Sequence, residues 1–227
     1  MNTLTRTSRV TGAAYLGLAV FGMLGFLVTR PQLFVPTDAD ATLANLIAQP
    51  SLANLGIALE LLVVISQAIA AVGFFALIAP ERPAAGFGVA AFGMGNAIVI
   101  LGSAGLLTAA LAVASDPTLA PGGDTAATTQ LLFTLSAIAW KVGGVFFGLW
   151  LIPMGWFAIS TRRMPRILGW ILVIGGVGYL VNAFLSVAVQ QAPSVLVDLT
   201  VIPATIGELW VVGYLLVRGI RPHKLSA

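Results

Sequence analysis

Three charged side chains stand inside long apolar stretches of this chain: Glu60, Lys141 and Glu208. A carboxylate held in lipid can take up and release a proton, and a membrane lysine can counter it or form a Schiff base. A charge at mid-membrane costs roughly 2.5–3.5 kcal/mol on insertion scales, so three such groups must find each other or water. Counted along their stretches at 1.5 Å per residue, all three fall roughly 12–17 Å from the same end. Gln67, Asn96 and Asn182 lie on neighbouring polar stripes. With Glu60, Lys141 and Glu208 they make a candidate intramembrane polar cluster. Two readings of it stay open. Lys141 pairs with Glu60 or Glu208 in an outward-facing cavity while the other carboxylate exchanges protons, or the charges form a buried salt bridge that fixes helix register.

The elements that must position these groups are six apolar segments, at about 10–29, 52–78, 84–114, 130–159, 167–189 and 199–217. Each is long enough to cross ~30 Å of hydrocarbon as a helix. The fold expected is all-α, a polytopic membrane helix bundle with six transmembrane helices in a single domain over 1–227. The first segment lacks a small-x-small cleavage site and is expected to be retained. Of the eleven Lys and Arg residues, nine fall on one side of the segments, in loops or tails: Arg6, Arg9, Arg82, Arg162, Arg163, Arg166, Arg218, Arg221 and Lys224. The other side has Arg30 alone, so the positive-inside rule places both termini in the cytoplasm of a multi-pass protein of the cell (inner or plasma) membrane.

Asp38 or Asp40 is suited to cap a short helix carrying Leu43, Leu46 and Ile47, expected to lie in the headgroup plane. The loop from Ser115 to Thr129 is rich in turn formers and is expected to be mobile. Short loops predict antiparallel hairpins of segments two with three and four with five. Gly144 and Gly148 give a G-x-x-x-G spacing suited to close helix approach. Pro153 is expected to kink its helix, and Pro203 either kinks the last helix or marks its first turn.

The bulk numbers agree with a lipid solvent: 59% apolar, 8% charged, mean hydropathy +1.01. The positive balance therefore points to anionic headgroups, not nucleic acid. Zero cysteines removes thiolate nucleophiles, iron–sulfur clusters and Cys-type zinc sites, and the single histidine, His223, sits in the basic tail, away from any helix pair that could ligate haem. No cofactor and no catalytic or metal-binding residue is expected. The absence of H-E-x-x-H and of a nucleophile elbow weighs against an enzyme. Expected partners are the lipid bilayer, a small-molecule or lipid ligand, and a second copy or membrane partner protein on the small-residue faces.

Several stretches, in order, resemble one family. They are Arg9-x-x-Gly12-x-x-Tyr15-Leu16, Asp40-Ala41-Thr42-x-x-Asn45, Phe146-Phe147-Gly148-Leu149 through Gly155, Pro165-Arg166-Ile167-Leu168-Gly169 with Gly178-Tyr179-Leu180, and Gly207-Glu208-Leu209-Trp210. The chain resembles, over nearly its whole length, the uncharacterised bacterial six-helix membrane proteins catalogued as domain of unknown function 4386. Trp156 stands where such proteins usually carry Tyr. The resemblance implies fold and topology, and flags Asp40, Asn45, Arg166 and Glu208 as matching positions without a role. Two functions follow from the residues: small-molecule or ion handling in a polar cavity, or a non-catalytic accessory or assembly subunit of a membrane complex.

Overall fold

A computed structural model describes residues 3–188 and 194–222. His223 and Lys224, with the last residue of the fifth predicted segment, Val189, lie outside the described residues. The chain is all-helical, 90% helix and without strands among the described residues, and six of its helices are long and apolar enough to cross a membrane. Large apolar side chains remain uncovered along them, Phe87, Phe184 and Val217 among others. That pattern suits helices facing lipid.

Helix α1 (Thr3–Met23) runs into a six-residue π-helical segment, Leu24–Thr29, and then α2 (Arg30–Leu33), making one continuous span. The backbone N–H of Arg30 donates to the Gly25 carbonyl, five residues back, and the Thr29 hydroxyl donates to the same oxygen at 2.8 Å. A short α3 (Ala39–Ala48) follows, with Asp38 capping it: its carboxylate accepts from the Ala41 N–H at 2.9 Å. Helix α4 (Pro50–Ile78), α5 (Pro83–Ser115), α6 (Thr125–Thr161), α7 (Arg166–Ala188) and α8 (Ser194–Val217) complete the order. Between α5 and α6 stand two short 3-10 turns, Pro117–Leu119 and Pro121–Gly123, with Gly122 and Gly123 at positive φ. Pro203 lies inside α8, not in its first turn.

The chain divides into two compact units. The first holds Met1–Leu16, Ser66–Asn96 and Val142–Ala227, and the second holds Gly17–Ile65 and Ala97–Lys141.

Glycine builds the first unit. A Cβ on Gly148 would sit 2.6 Å from the Gly176 carbonyl and one on Gly176 2.7 Å from the Gly148 carbonyl, and Gly155 and Gly169 repeat the arrangement. Helices α6 and α7 thus run antiparallel with their backbones touching at two glycine pairs, as small residues permit in membranes. The predicted α4–α5 hairpin is also present, with Gly86 against Ala79 and Gly93 against Ala71. Gly175 and Gly178 bring α7 against Ala204 and the Thr200 carbonyl of α8. An aromatic trio of Tyr15, Phe74 and Trp150 packs edge to face, with ring centres 5.4–5.7 Å apart. At one end, Arg163 ion-pairs with Glu81 and its Nε donates to the Arg221 carbonyl at 2.6 Å. The Arg82 Nε donates to Ser160 Oγ at 3.3 Å. These bonds gather the α4–α5 and α6–α7 connections and the segment after α8, with their arginines.

The second unit has its own core of Leu33, Leu46, Ala53, Leu107, Ala110 and Phe133. Leu46 is buried in it and Leu43 packs against it, while Ile47 stays exposed. Helix α3 thus seats one face on protein. Gln130 ties the neighbouring loop down, its amide donating to the Val35 and Pro36 carbonyls at 3.0 and 2.9 Å.

Candidate functional site

In the second unit, Arg30 is turned inward at the end of the π-helical segment. A π turn holds an extra residue relative to an α turn, so it rotates everything beyond it. Arg30 Nη2 donates to Glu60 Oε1 at 3.1 Å and to Ser136 Oγ at 2.7 Å. Ser136 and Ser103 share a hydrogen bond of 2.7 Å, and the Trp140 indole N–H donates to Glu60 Oε1 at 3.0 Å. The guanidinium also lies 5.0 Å from the centre of the Phe26 ring, near enough for cation–π attraction. The Arg30 and Glu60 side chains are only 10% and 6% exposed. Gly56, one turn before Glu60 on α4, leaves room for Thr29.

This pair is incompletely satisfied. Arg30 Nη1 and Glu60 Oε2 are buried and have no hydrogen-bond partner among the described residues. Both residues line a cavity of about 20 Å³, with Thr29 and Gly56 beside them and Leu46 and Phe133 on its apolar wall. A water needs roughly 10–15 Å³ of such space. The arrangement offers one N–H donor and one carboxylate acceptor to a small guest, on a pair whose own charges cancel.

In the first unit, Glu208 is held by phenols. Tyr15 donates to Oε1 at 2.7 Å and Tyr179 to Oε2 at 3.0 Å. The Trp150 indole N–H in turn donates to the Tyr15 oxygen at 3.3 Å. Among the described residues no cation lies within ion-pair distance of Glu208. The Tyr15 and Trp150 side chains are buried, whereas Glu208 and Tyr179 are half-buried.

The six residues singled out in the sequence take different partners. Lys141 is exposed and joins no ion pair among the described residues. Its expected pairing with Glu60 or Glu208 is replaced, because Arg30 already occupies Glu60 and two phenols cap Glu208. Arg30, counted in the sequence as a loop residue, is instead the cation paired with Glu60. Asn182 Nδ2 donates to Thr200 Oγ1 at 3.2 Å. Gln67 and Asn96 are buried in the first unit, the former with both amide atoms and the latter with its Nδ2 lacking a protein partner. Of the residues flagged by resemblance, Asn45 Nδ2 donates to the Leu33 carbonyl at 3.4 Å, and Asp40 and Arg166 stand in the first turns of α3 and α7. Among the described residues no three of His, Cys, Asp and Glu are placed to hold a metal ion.

Sequence reasoning missed Arg30, Ser136, Trp140 and Tyr15 as partners, whereas Ser103 and Tyr179 fall on polar helix faces that the sequence does show. The one available signal was an arginine directly after twenty apolar residues, where a carboxylate on the next helix could reach it.

A family model described as domain of unknown function (DUF4386) matches residues 10–219, most of the chain. No curated protein and no solved structure matches.

Proposed function

We propose, for a chain that belongs to the DUF4386 family, a multi-pass membrane protein that handles a small polar molecule or ion at the Arg30–Glu60 pair. The observation that carries this reading is the pair's two unpartnered atoms, Arg30 Nη1 and Glu60 Oε2, beside a cavity of about 20 Å³. A buried ion pair gives little net stability, and each buried polar atom without a partner costs ~1–3 kcal/mol. An apolar pair of similar volume would hold the helices at least as well. Retaining the charged pair with one donor and one acceptor to spare is reasonable for a site that takes a hydrogen-bonding guest. The cavity lies near the α2–α3 connection, the side that the distribution of arginines assigns to the exterior.

The test is flux. Proteoliposomes of the wild type and of Glu60→Gln are compared with protein-free vesicles for water and glycerol permeation, by light scattering, and for proton leak, by an internal pH dye. The reading expects a flux in the wild type that falls in Glu60→Gln. Wild-type vesicles indistinguishable from empty ones for all three probes would remove it.

A further inference from the structure

A second place in the first unit carries chemistry that neither carboxylate site uses. Along α5 and α6 runs an apolar groove of about 600 Å³, lined by Gly88, Phe92, Leu149, Pro153 and Trp156, with Arg82 at its mouth. Its volume falls in the usual range for ligand sites, roughly 300–1,000 Å³. Gly88 creates its depth: a Cβ there would only reach ordinary contact with Phe92 and Pro153, so the missing side chain leaves space that nothing else fills. Pro153, inside α6, has no N–H to give to the Leu149 carbonyl one turn back. Trp156 is 57% exposed, as suits an indole at the headgroup level.

The charges at the mouth are arranged for an anion. Arg82 is exposed; its Nε donates to Ser160 Oγ and its Nη1 to the Glu81 carbonyl, and among the described residues its Nη2 has no hydrogen-bond partner. The one carboxylate there, Glu81, is engaged by Arg163 and does not stand as a bare negative charge. Arg162, on the α6–α7 connection, and Arg166, the first residue of α7, add exposed positive charge.

We infer that this groove is a binding site for an anionic phospholipid, one acyl chain lying along Gly88, Phe92 and Pro153 and the phosphate resting on Arg82. Apolar walls on a membrane-spanning helix select a chain, and the arginine selects the headgroup.

The experiment reconstitutes the intact protein in nanodiscs of equimolar phosphatidylglycerol and phosphatidylcholine with identical chains. Lipids retained on release are then counted by native mass spectrometry. The wild type is expected to keep one phosphatidylglycerol in preference to phosphatidylcholine. Arg82→Gln, an exposed substitution, is expected to lower that preference about five-fold, the effect of one basic residue at an anionic surface. Gly88→Leu fills the groove and is expected to lose the retained lipid whatever its headgroup. Should that variant fail to fold by circular dichroism, Trp156→Ala at the open rim serves the same purpose. Equal retention of both headgroups by the wild type overturns the assignment, as does unchanged retention in Arg82→Gln or in the groove variant that folds. A fall in Arg166→Gln equal to that in Arg82→Gln also overturns it, since general surface charge would then explain the preference.

Discussion

Glu60 and Glu208 are both carboxylates on apolar helices, and they are satisfied by opposite means. Glu60 meets a cation and an indole on a single oxygen, leaving its other oxygen and one arginine nitrogen without partners among the described residues. Glu208 meets no cation among the described residues, yet each of its oxygens accepts a phenol. A carboxylate whose acceptors are both used by neutral donors has its place in the packing explained. An ion pair with a donor and an acceptor left over is only half explained by packing, which is why the Arg30 site is the better candidate for handling a guest.

Substitutions can break this comparison, and the largest effect belongs to the ion pair. Glu60→Ala strands Arg30 as a buried, uncompensated charge and is expected to cost ~3–5 kcal/mol in reversible unfolding from mixed micelles. The double variant Arg30→Met with Glu60→Leu is expected to recover most of that loss. A double variant no more stable than Glu60→Ala would mean that the pair itself holds the unit together. Glu208→Leu strands no cation and leaves two phenols without an acceptor, so a smaller loss of ~1–3 kcal/mol is expected in the same assay. If it matches Glu60→Ala, the contrast between the sites disappears. Tyr179→Phe removes one hydrogen bond, worth ~1 kcal/mol, and sharpens the view of Glu208 as held from both oxygens. Lys141→Met comes last, within about 0.5 kcal/mol of wild type, because the side chain is exposed and joins no ion pair among the described residues.

Much of the fold was legible from apolar length and turn chemistry. The six spans, both hairpins and the Asp38 cap all follow from local rules, and the described helices begin or end a few residues away, α6 at Thr125 and not Gln130. The site was less legible. Spacing says which residues share a face but not which neighbour covers it. On the stripe of Lys141, Gly148 touches α7, whereas a Cβ on Gly144 would meet nothing within 4 Å. Lys141 therefore belongs to a part of α6 that its lower glycines do not describe. Arg30 was hidden for a different reason. Arg30-Pro31 reads as a helix end by ordinary dihedral preference, and only the π-helical segment carries the helix through it and swings the guanidinium toward Glu60. No periodicity in the sequence announces a π turn.

Whether Arg30 and Glu60 together hold a guest is decided by a high-resolution map of the protein in lipid nanodiscs. Ordered non-protein density is expected within hydrogen-bonding distance of both Arg30 Nη1 and Glu60 Oε2. A dry pair, with those two atoms turned onto protein groups, would contradict it.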